Sequence, residues 1–274
     1  MAMVINTNMG AINASRILDA TQKDQSTAME RLTSGLRINN AADDAAGLAV
    51  ATGMTTQIRG TDQAIRNAND GMALLQTVDG ASEEIVNMMQ RMRELAVQSL
   101  NGTYNQENRQ QMDAEFTQLQ NEIDRVAKTT KFNEVQLMSQ GTTISLHVGW
   151  ERGGANKINI STKGFIAASL QTSTAYTIST VGDASGAIAA IDADLSNIGT
   201  TRAKWGALQN RLDYTVSNLA NVNENMNGAR SQIQDADFAR ESAQLARTQV
   251  LQQAGMAMLG QANQQSQNVL SLLR

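Results

Sequence analysis

The side chains best suited to acid–base or metal chemistry are few in this chain of 274 residues. Asp43 and Asp44 form an adjacent acidic pair. Adjacent side chains do not converge on a helix, and two carboxylates are too few for a cation that takes six or more oxygen ligands. Because Asp is favoured at helix starts, we expect capping or other structural roles for this pair.

The single histidine, His147, occupies a polar position in a segment of alternating hydrophobicity, where we expect it to face solvent. Glu151 is its only close carboxylate in sequence, and the chain has no cysteine, so a zinc site or a catalytic triad is not expected. The chain also lacks a His-Glu-x-x-His motif, a phosphate-binding glycine loop and a nucleophile elbow. The sequence therefore predicts no catalytic residue, no metal, no cofactor and no enzyme activity.

The composition favours long helices with a thin core. Aromatic residues make up only 3% of the chain, and proline is absent where average usage of about 5% would give about 14. The net charge of -4 and the lack of a basic run argue against nucleic-acid binding. No apolar stretch approaches the roughly 20 residues that span a bilayer, so membrane insertion is not expected. The N-terminus has no secretory signal pattern, which indicates a cytosolic protein or export by another route.

Three stretches carry apolar or small residues at alternating steps of three and four, the spacing of helices packed lengthwise. The first starts with small residues, which we expect to admit another helix closely, and ends before Asn101-Gly102. The predicted fold is mainly α, an elongated antiparallel helical bundle or coiled coil. The first seam is Ala64, Ala68, Gly71, Leu75, Val78, Ser82, Ile85, Met89, Met92, Ala96 and Ser99. The second includes Met112, Phe116, Leu119, Ile123 and Val126, and the third runs from Ile188 through Trp205 to Met226.

Between the second and third seams the period changes to two. Ile144, Leu146, Val148 and Trp150 alternate with polar or small residues, and a glycine-bearing turn precedes Ile158 and Ile160. This pattern predicts a small β-hairpin near residues 142–160. Residues 161–185 are rich in Ser, Thr, Gly and Ala, which indicates a surface loop or a few short strands.

Both ends of the chain carry narrow apolar stripes at helical spacing. The residues expected to mediate assembly are Ile5, Met9 and Ile12 at the N-terminal end and Leu251, Met258, Val269 and Leu273 at the C-terminal end. Neither stripe is wide enough to dock firmly on a monomeric core, and isolated helices gain little from propensity alone. Our hypothesis is that both ends are largely disordered in the monomer and pair on assembly.

Several long motifs in these segments resemble those of bacterial flagellins. The N-terminal half carries them at residues 32–50, 90–99 and 121–133, and the C-terminal part at residues 233–239, 252–255, 261–264 and 267–274. The resemblance covers about residues 1–160 and 184–274. Because the motifs occur in the order typical of the family, they are more specific than any single short match.

The resemblance implies a short flagellin with two layers. Residues 1–40 with 235–274 would form the inner terminal coiled coil. Residues 41–160 with 184–234 would form the helical bundle with the hairpin, and residues 161–183 would be a short surface loop replacing the outer domains. The implied function is a structural subunit that polymerises with itself into the filament used for swimming. Export by the flagellar type III apparatus would place it outside the cell.

Further partners follow from the resemblance alone. They are an export chaperone that binds the C-terminal region, the filament cap and hook-junction proteins, and host receptors. In flagellins recognised by the vertebrate Toll-like flagellin receptor, the positions matching Arg91, Leu95 and Glu115 form the contact, and we expect Leu95 to lie on the same helix face as Arg91, one turn away. In the family this surface also packs on a neighbouring subunit. Residues 30–51 resemble the peptide sensed by plant receptors. The resemblance also implies O-glycosylation in the Ser/Thr run, at Ser169, Thr172, Ser173, Thr174, Thr177 and Ser179.

Two alternative functions remain open from the sequence. A hook–filament junction protein has similar chain ends, although the finish at residues 267–274 and the segment near Arg91 favour flagellin. A secreted coiled-coil adhesin would form no long filaments.

Overall fold

A computed structural model describes residues 7–139, 141–165 and 176–271, with side chains described up to residue 264. The chain divides into two compact units, Met1–Thr56 with Asn225–Arg274, and Gln57–Glu224; below, these are the terminal unit and the central unit. Within the described ranges the elements are α1 (Met9–Ser34), α2 (Ala45–Leu100), α3 (Gln106–Thr129), β1 (Lys131–Phe132), β2 (Val135–Gln136), β3 (Thr143–His147), β4 (Lys157–Ser161), α4 (Val181–Gln234) and α5 (Phe238–Ser271). A mainly α fold with a small β-hairpin is thus confirmed.

The first predicted seam forms the centre of the core of the central unit. Every residue of this seam is buried in α2, from Ala64 to Ser99. The polar member Ser82 donates its hydroxyl to the carbonyl of Val78 at 2.8 Å, which satisfies it without a partner from another element. The helix ends at Leu100, immediately before the Asn101-Gly102 pair, as predicted.

Helices α3 and α4 complete this core. Phe116 and Ile123 of α3 are buried, and in α4 the buried side chains include Ile191, Ile198 and Trp205. An ion pair adds to the α2–α4 contact, because the Arg202 guanidinium meets the Asp79 carboxylate at 2.6 Å. The spacing of apolar residues therefore located the buried faces of α2 and α3 and that of α4 as far as Leu212; beyond it, Val222 of the predicted seam is exposed.

Two glycines of α2, Gly60 and Gly71, receive the β-hairpin, so the expectation that another helix approaches closely is wrong at Gly71. At Gly71 an added Cβ would lie 2.1 Å from Cδ1 of Leu146 in β3. At Gly60 it would lie 2.7 Å from Cβ of Trp150. Asn67 lies between these glycines and donates its amide to the carbonyl of His147 at 2.9 Å.

Strands β3 and β4 pair antiparallel as the predicted hairpin, with Ile144 opposite Ile160. Ile158 and Ile160 are buried, so one face of this ribbon packs on the core. β3 ends at His147, which is half-buried rather than facing solvent. The predicted alternation does not extend to Trp150, which lies beyond the strand and is exposed.

The described ends of the segment predicted as a surface loop are anchored in the core. Phe165 is buried with its ring centroid 6.1 Å from that of Trp205 in an edge-to-face arrangement. Ile178 is also buried, and its backbone N–H donates to the Asp113 carboxylate at 2.7 Å while its carbonyl accepts from the Ser99 hydroxyl at 2.6 Å. A surface loop is therefore wrong for these two residues; residues 166–175 lie outside the described part.

The glycines of α2 provide a test of this packing. Gly80 has no atom within 4 Å of an added Cβ, so Gly80→Ala should raise the free energy of unfolding by about 1 kcal/mol through helix propensity. Gly60→Ala gains the same propensity but crowds Trp150, and we expect a net loss of about 1–3 kcal/mol. Urea denaturation of both variants measures the difference. Equal stabilisation by both substitutions would show that the hairpin does not pack on Gly60.

Candidate assembly and interaction surfaces

Helices α1 and α5 of the terminal unit lie against each other in antiparallel orientation. The Asn8 amide donates to the carbonyl of Ala262 at 3.0 Å. Further along α1, the Leu18 side chain lies beside Gly255. Arg31, near the end of α1, forms an ion pair of 3.3 Å with Glu241 near the start of α5. Residue numbers therefore rise along α1 as they fall along α5, which shows that the two helices are antiparallel.

The seam between these helices is built mainly from small and polar side chains. The less exposed positions repeat with heptad spacing in both helices, as in a coiled coil. The Thr21 and Thr248 hydroxyls donate to the carbonyls of Ile17 and Gln244 in their own helices, so they enter the seam without an unmade hydrogen bond. The pairing seam comprises Ala11, Ala14, Leu18, Thr21, Gln25, Ala28 and Leu32 of α1, and Glu241, Leu245, Thr248, Gln252, Gly255, Leu259 and Ala262 of α5.

Most large apolar side chains of the same two helices point away from this seam. Met9 and Ile12, both expected at an assembly contact, are exposed, and so are Leu251 and Met258. Ile17, Met29, Phe238, Val250 and Met256 are also exposed. The nine lie on more than one side of the two helices, and we name them together the outward apolar face. The other expected assembly residues, Ile5, Val269 and Leu273, have no described side chain.

Sequence reasoning did not identify the pairing seam, because it followed large apolar residues. The heptad spacing of Ala, Thr and Gln was the signal that could have found it. The polar stretch at residues 19–27 lies inside α1, which runs without interruption from Met9 to Ser34. Disorder of both ends in the free monomer stays a prediction, and so do the filament layers, since these are defined by assembly.

The Asp43-Asp44 pair has the predicted structural role. The Asp43 carboxylate accepts the backbone N–H groups of Asn39 and Asn40 at 3.1 and 2.9 Å. These hydrogen bonds, with that of Asn40 the stronger influence, hold the pKa of Asp43 below its ordinary value. Asp44 accepts the N–H of Gly47 at 2.8 Å and so caps the start of α2.

An exposed charge cluster joins α2 and α3. The Arg91 guanidinium lies 2.9 Å from the Glu115 carboxylate and 3.1 Å from that of Glu94, and we name these three residues the Arg91 cluster. Hydrogen bonds to Glu94 and Glu115 raise the pKa of Arg91 above its ordinary value. Arg91 and Glu115, two of the three residues expected at a receptor contact, are thus brought together about half exposed.

The third expected receptor residue, Leu95, is not on this surface. Its side chain is 2% exposed and belongs to the core of the central unit. The expectation that Leu95 shares an exposed face with Arg91 is wrong, because a position four residues along a helix is rotated by about 40° and here falls on the buried side.

The remaining predicted positions are distributed as follows. Thr177 and Ser179 lie within the described chain, with their hydroxyl oxygens 3.4 Å apart, and Thr177 is exposed. Ser169, Thr172, Ser173 and Thr174 lie outside the described residues.

Across the described ranges, no three His, Cys, Asp or Glu side chains gather in a way that could hold a metal ion. No described helix is long and apolar enough to cross a membrane.

Comparison with known proteins decides the family. The bacterial flagellin N-terminal helical region matches residues 5–143, and the bacterial flagellin C-terminal helical region matches residues 188–273. The chain belongs to the flagellin family. It is 45% identical over 273 residues to the flagellin of Halalkalibacterium halodurans, with 99% of this chain and 100% of that protein covered.

Two further similarities were found, one to a curated protein and one to a solved structure. The flagellar filament 31.3 kDa core protein of Treponema maltophilum is 40% identical over 286 residues, covering 99% of this chain and 100% of that protein. A solved structure assigned to the flagellar hook-associated proteins, from Vibrio parahaemolyticus, aligns with a TM-score of 0.59 over 70% of this chain and all of that one. Its identity of 11% means that this second likeness shows the fold alone.

A charge pair beside the Arg91 cluster predicts a pH effect in this flagellin. Arg93 donates to Asp192 at 2.7 Å, and this hydrogen bond lowers the pKa of Asp192. The stabilisation by the pair is therefore complete above the ordinary carboxyl pKa and is lost as pH falls through the lowered one. In Arg93→Gln, we expect the Asp192 pKa to rise toward the ordinary value of an aspartate carboxyl, measured by carboxyl NMR titration.

The matched control for this titration is Arg125→Gln. Arg125 pairs in the same way with Glu122 and lowers the pKa of that carboxyl. This variant should raise the pKa of Glu122 and leave that of Asp192 unchanged. An Asp192 pKa that stays low without Arg93 would contradict the assignment.

Proposed function

We propose that this chain is the structural subunit of the bacterial flagellar filament, assembled non-covalently outside the cell for swimming. The observation that carries this proposal is the outward apolar face on two paired terminal helices. Its relatives include a flagellin and a flagellar filament core protein matched over their whole lengths. These relatives favour a filament subunit over a hook–filament junction protein or an adhesin.

The outward apolar face explains why the chain would polymerise. Large apolar side chains exposed in quantity on a soluble protein mark a surface that another molecule covers. Four of them, Met9, Ile12, Ile17 and Met29, lie along α1, and the others lie along α5. When different surfaces of identical chains meet head to tail, the contact repeats without closing and forms an open helical polymer.

Several parts of this proposal rest on the family alone. They are recognition of the C-terminal region by an export chaperone, contact with cap and hook-junction proteins, O-linked glycans near Thr177, and sensing of residues 30–51 by plant receptors. A purely structural role without enzyme activity also follows from the family, since flagellins are structural proteins.

Polar substitution of the outward apolar face should block polymerisation. Leu251→Gln combined with Met258→Gln keeps side-chain length and helix propensity but removes apolar area. Loss of two buried apolar contacts should raise the critical concentration for polymerisation by roughly tenfold to a hundredfold. Sedimentation of filaments formed from purified subunits, with electron microscopy, gives the measurement.

The control for this experiment is Gln253→Ala, at an exposed polar position of the same helix. It should polymerise like the unaltered chain. Both variants should keep the thermal unfolding transition of the central unit. If the double variant forms normal filaments, the outward apolar face is not the assembly surface.

A second candidate function is recognition of the monomer by the vertebrate Toll-like flagellin receptor. The observation that favours it is the Arg91 cluster, in which ion pairs hold an exposed guanidinium in place on α2. Arg is a common interface anchor because its planar group offers several directed donors. Since Leu95 is buried, the cluster and not the leucine would supply the contact.

Charge reversal tests this second function. Arg91→Asp should reduce signalling by monomer in a receptor reporter assay by roughly tenfold or more, because it removes the anchor and places a third carboxylate beside Glu94 and Glu115. Arg125→Asp, an exposed arginine on α3 with its own ion pair, serves as the control and should signal normally. Unchanged signalling by the Arg91 variant would eliminate this contact.

A further inference from the structure

The methionines of the chain are divided between its two units by exposure. In the terminal unit, four are exposed: Met9 at 64%, Met29 at 49%, Met256 at 56% and Met258 at 64%. The other two described methionines of this unit, Met54 and Met226, are half-buried. In the central unit, four are buried, Met89, Met92, Met112 and Met138, and two are half-buried, Met72 and Met88. Within the described chain, every exposed thioether therefore belongs to the terminal unit.

This distribution matters because the chain contains no cysteine. Methionine supplies all of its sulfur, so a mild two-electron oxidant such as hydrogen peroxide has no thiolate to attack first. Oxidation of a methionine also requires approach of the oxidant to the sulfur, which burial prevents. The four exposed methionines are thus the most accessible described thioethers.

We propose that Met9, Met29, Met256 and Met258 are reversible oxidation sites that switch off assembly of the free subunit. At each site, a sulfur lone pair attacks one peroxide oxygen, the O–O bond breaks, and the products are methionine sulfoxide and one water molecule. The sulfur is oxidised by two electrons and the peroxide is reduced by two. Methionine sulfoxide reductases, one for each epimer at sulfur, reverse the change with a dithiol as reductant: the dithiol is oxidised to a disulfide and the sulfoxide oxygen leaves as water.

The effect on assembly follows from the polarity of the sulfoxide. All four side chains belong to the outward apolar face. That this face is covered on assembly rests on the proposed filament function. A sulfoxide buried there loses its hydrogen bonds to water, and a neighbouring apolar surface offers none in return. A subunit already in the filament would have these side chains covered. Oxidation would therefore act on the free subunit and spare the assembled one.

The first experiment measures where oxygen is added. Purified monomer and sedimented filaments are treated with hydrogen peroxide, and peptide mass spectrometry follows each methionine separately. In monomer, Met9, Met29, Met256 and Met258 should oxidise at least roughly tenfold faster than Met89, Met92 and Met138. In filaments, the rates at the four sites should fall. Equal rates at exposed and buried positions, or unchanged rates in filaments, would overturn the proposal.

The second experiment measures the consequence for assembly. Oxidised monomer should show a critical concentration raised by roughly tenfold or more, and treatment with both sulfoxide reductases and a dithiol reductant should restore the original value. A variant with leucine at all four sites should polymerise and resist peroxide. The control variant, with leucine at Met54, Met72, Met88 and Met226, should stay sensitive.

The outcomes separate this inference from the proposed function. If untreated subunits form no filaments, the proposed function fails. If untreated subunits form filaments and fully oxidised subunits do so equally well, only the oxidation switch fails. Loss of assembly in the four-leucine variant after peroxide would likewise overturn the assignment to these sites.

Discussion

The contact between α1 and α5 is the interaction on which the rest of the terminal unit depends. Its seam uses residues such as Ala14, Thr21 and Ala28, whose small side chains bring the helices together but bury little apolar area each. Hydrophobic stabilisation scales with buried area, so this seam contributes little per residue. Most of the larger apolar side chains stay outside it and are exposed. Because small residues occupy the seam, the pairing of α1 with α5 buries little apolar area. For the same reason, the large apolar side chains are left exposed.

The central unit differs from the terminal unit because it has a core built from large apolar side chains. Large side chains such as Phe116 and Trp205 are fully buried, and the buried side-chain N and O atoms described in this unit have hydrogen-bond partners. The Trp205 indole N–H donates to the carbonyl of Ser161 at 3.1 Å, and the Gln120 amide donates to that of Tyr176 at 3.1 Å. Satisfied polar groups of this kind fix a single arrangement of a core. The core of the central unit therefore does not depend on burial of the exposed apolar side chains of α1 and α5.

The charged groups of the surface have a different role from the core. Exposed ion pairs such as Arg91–Glu115 contribute little to stability, since water screens them. Such pairs instead orient the charged group, because a guanidinium held by two carboxylates keeps one geometry. Arg202, which is less exposed and pairs with Asp79 across α2 and α4, instead helps to align two helices.

The sequence by itself determined the helices, their buried faces in the central unit, the hairpin and the family. Periodic spacing is a local property, and the lack of proline lets it extend over helices as long as α2 and α4. Only the tertiary structure decided what packs on each face. It placed the hairpin against Gly60 and Gly71, buried Leu95, and drew Phe165 and Ile178 into the core from a segment whose composition indicated a loop. It also paired α1 with α5 through small residues and left the large ones outside. Such choices depend on which elements meet in space, and a pattern along one helix does not contain the identity of its neighbour.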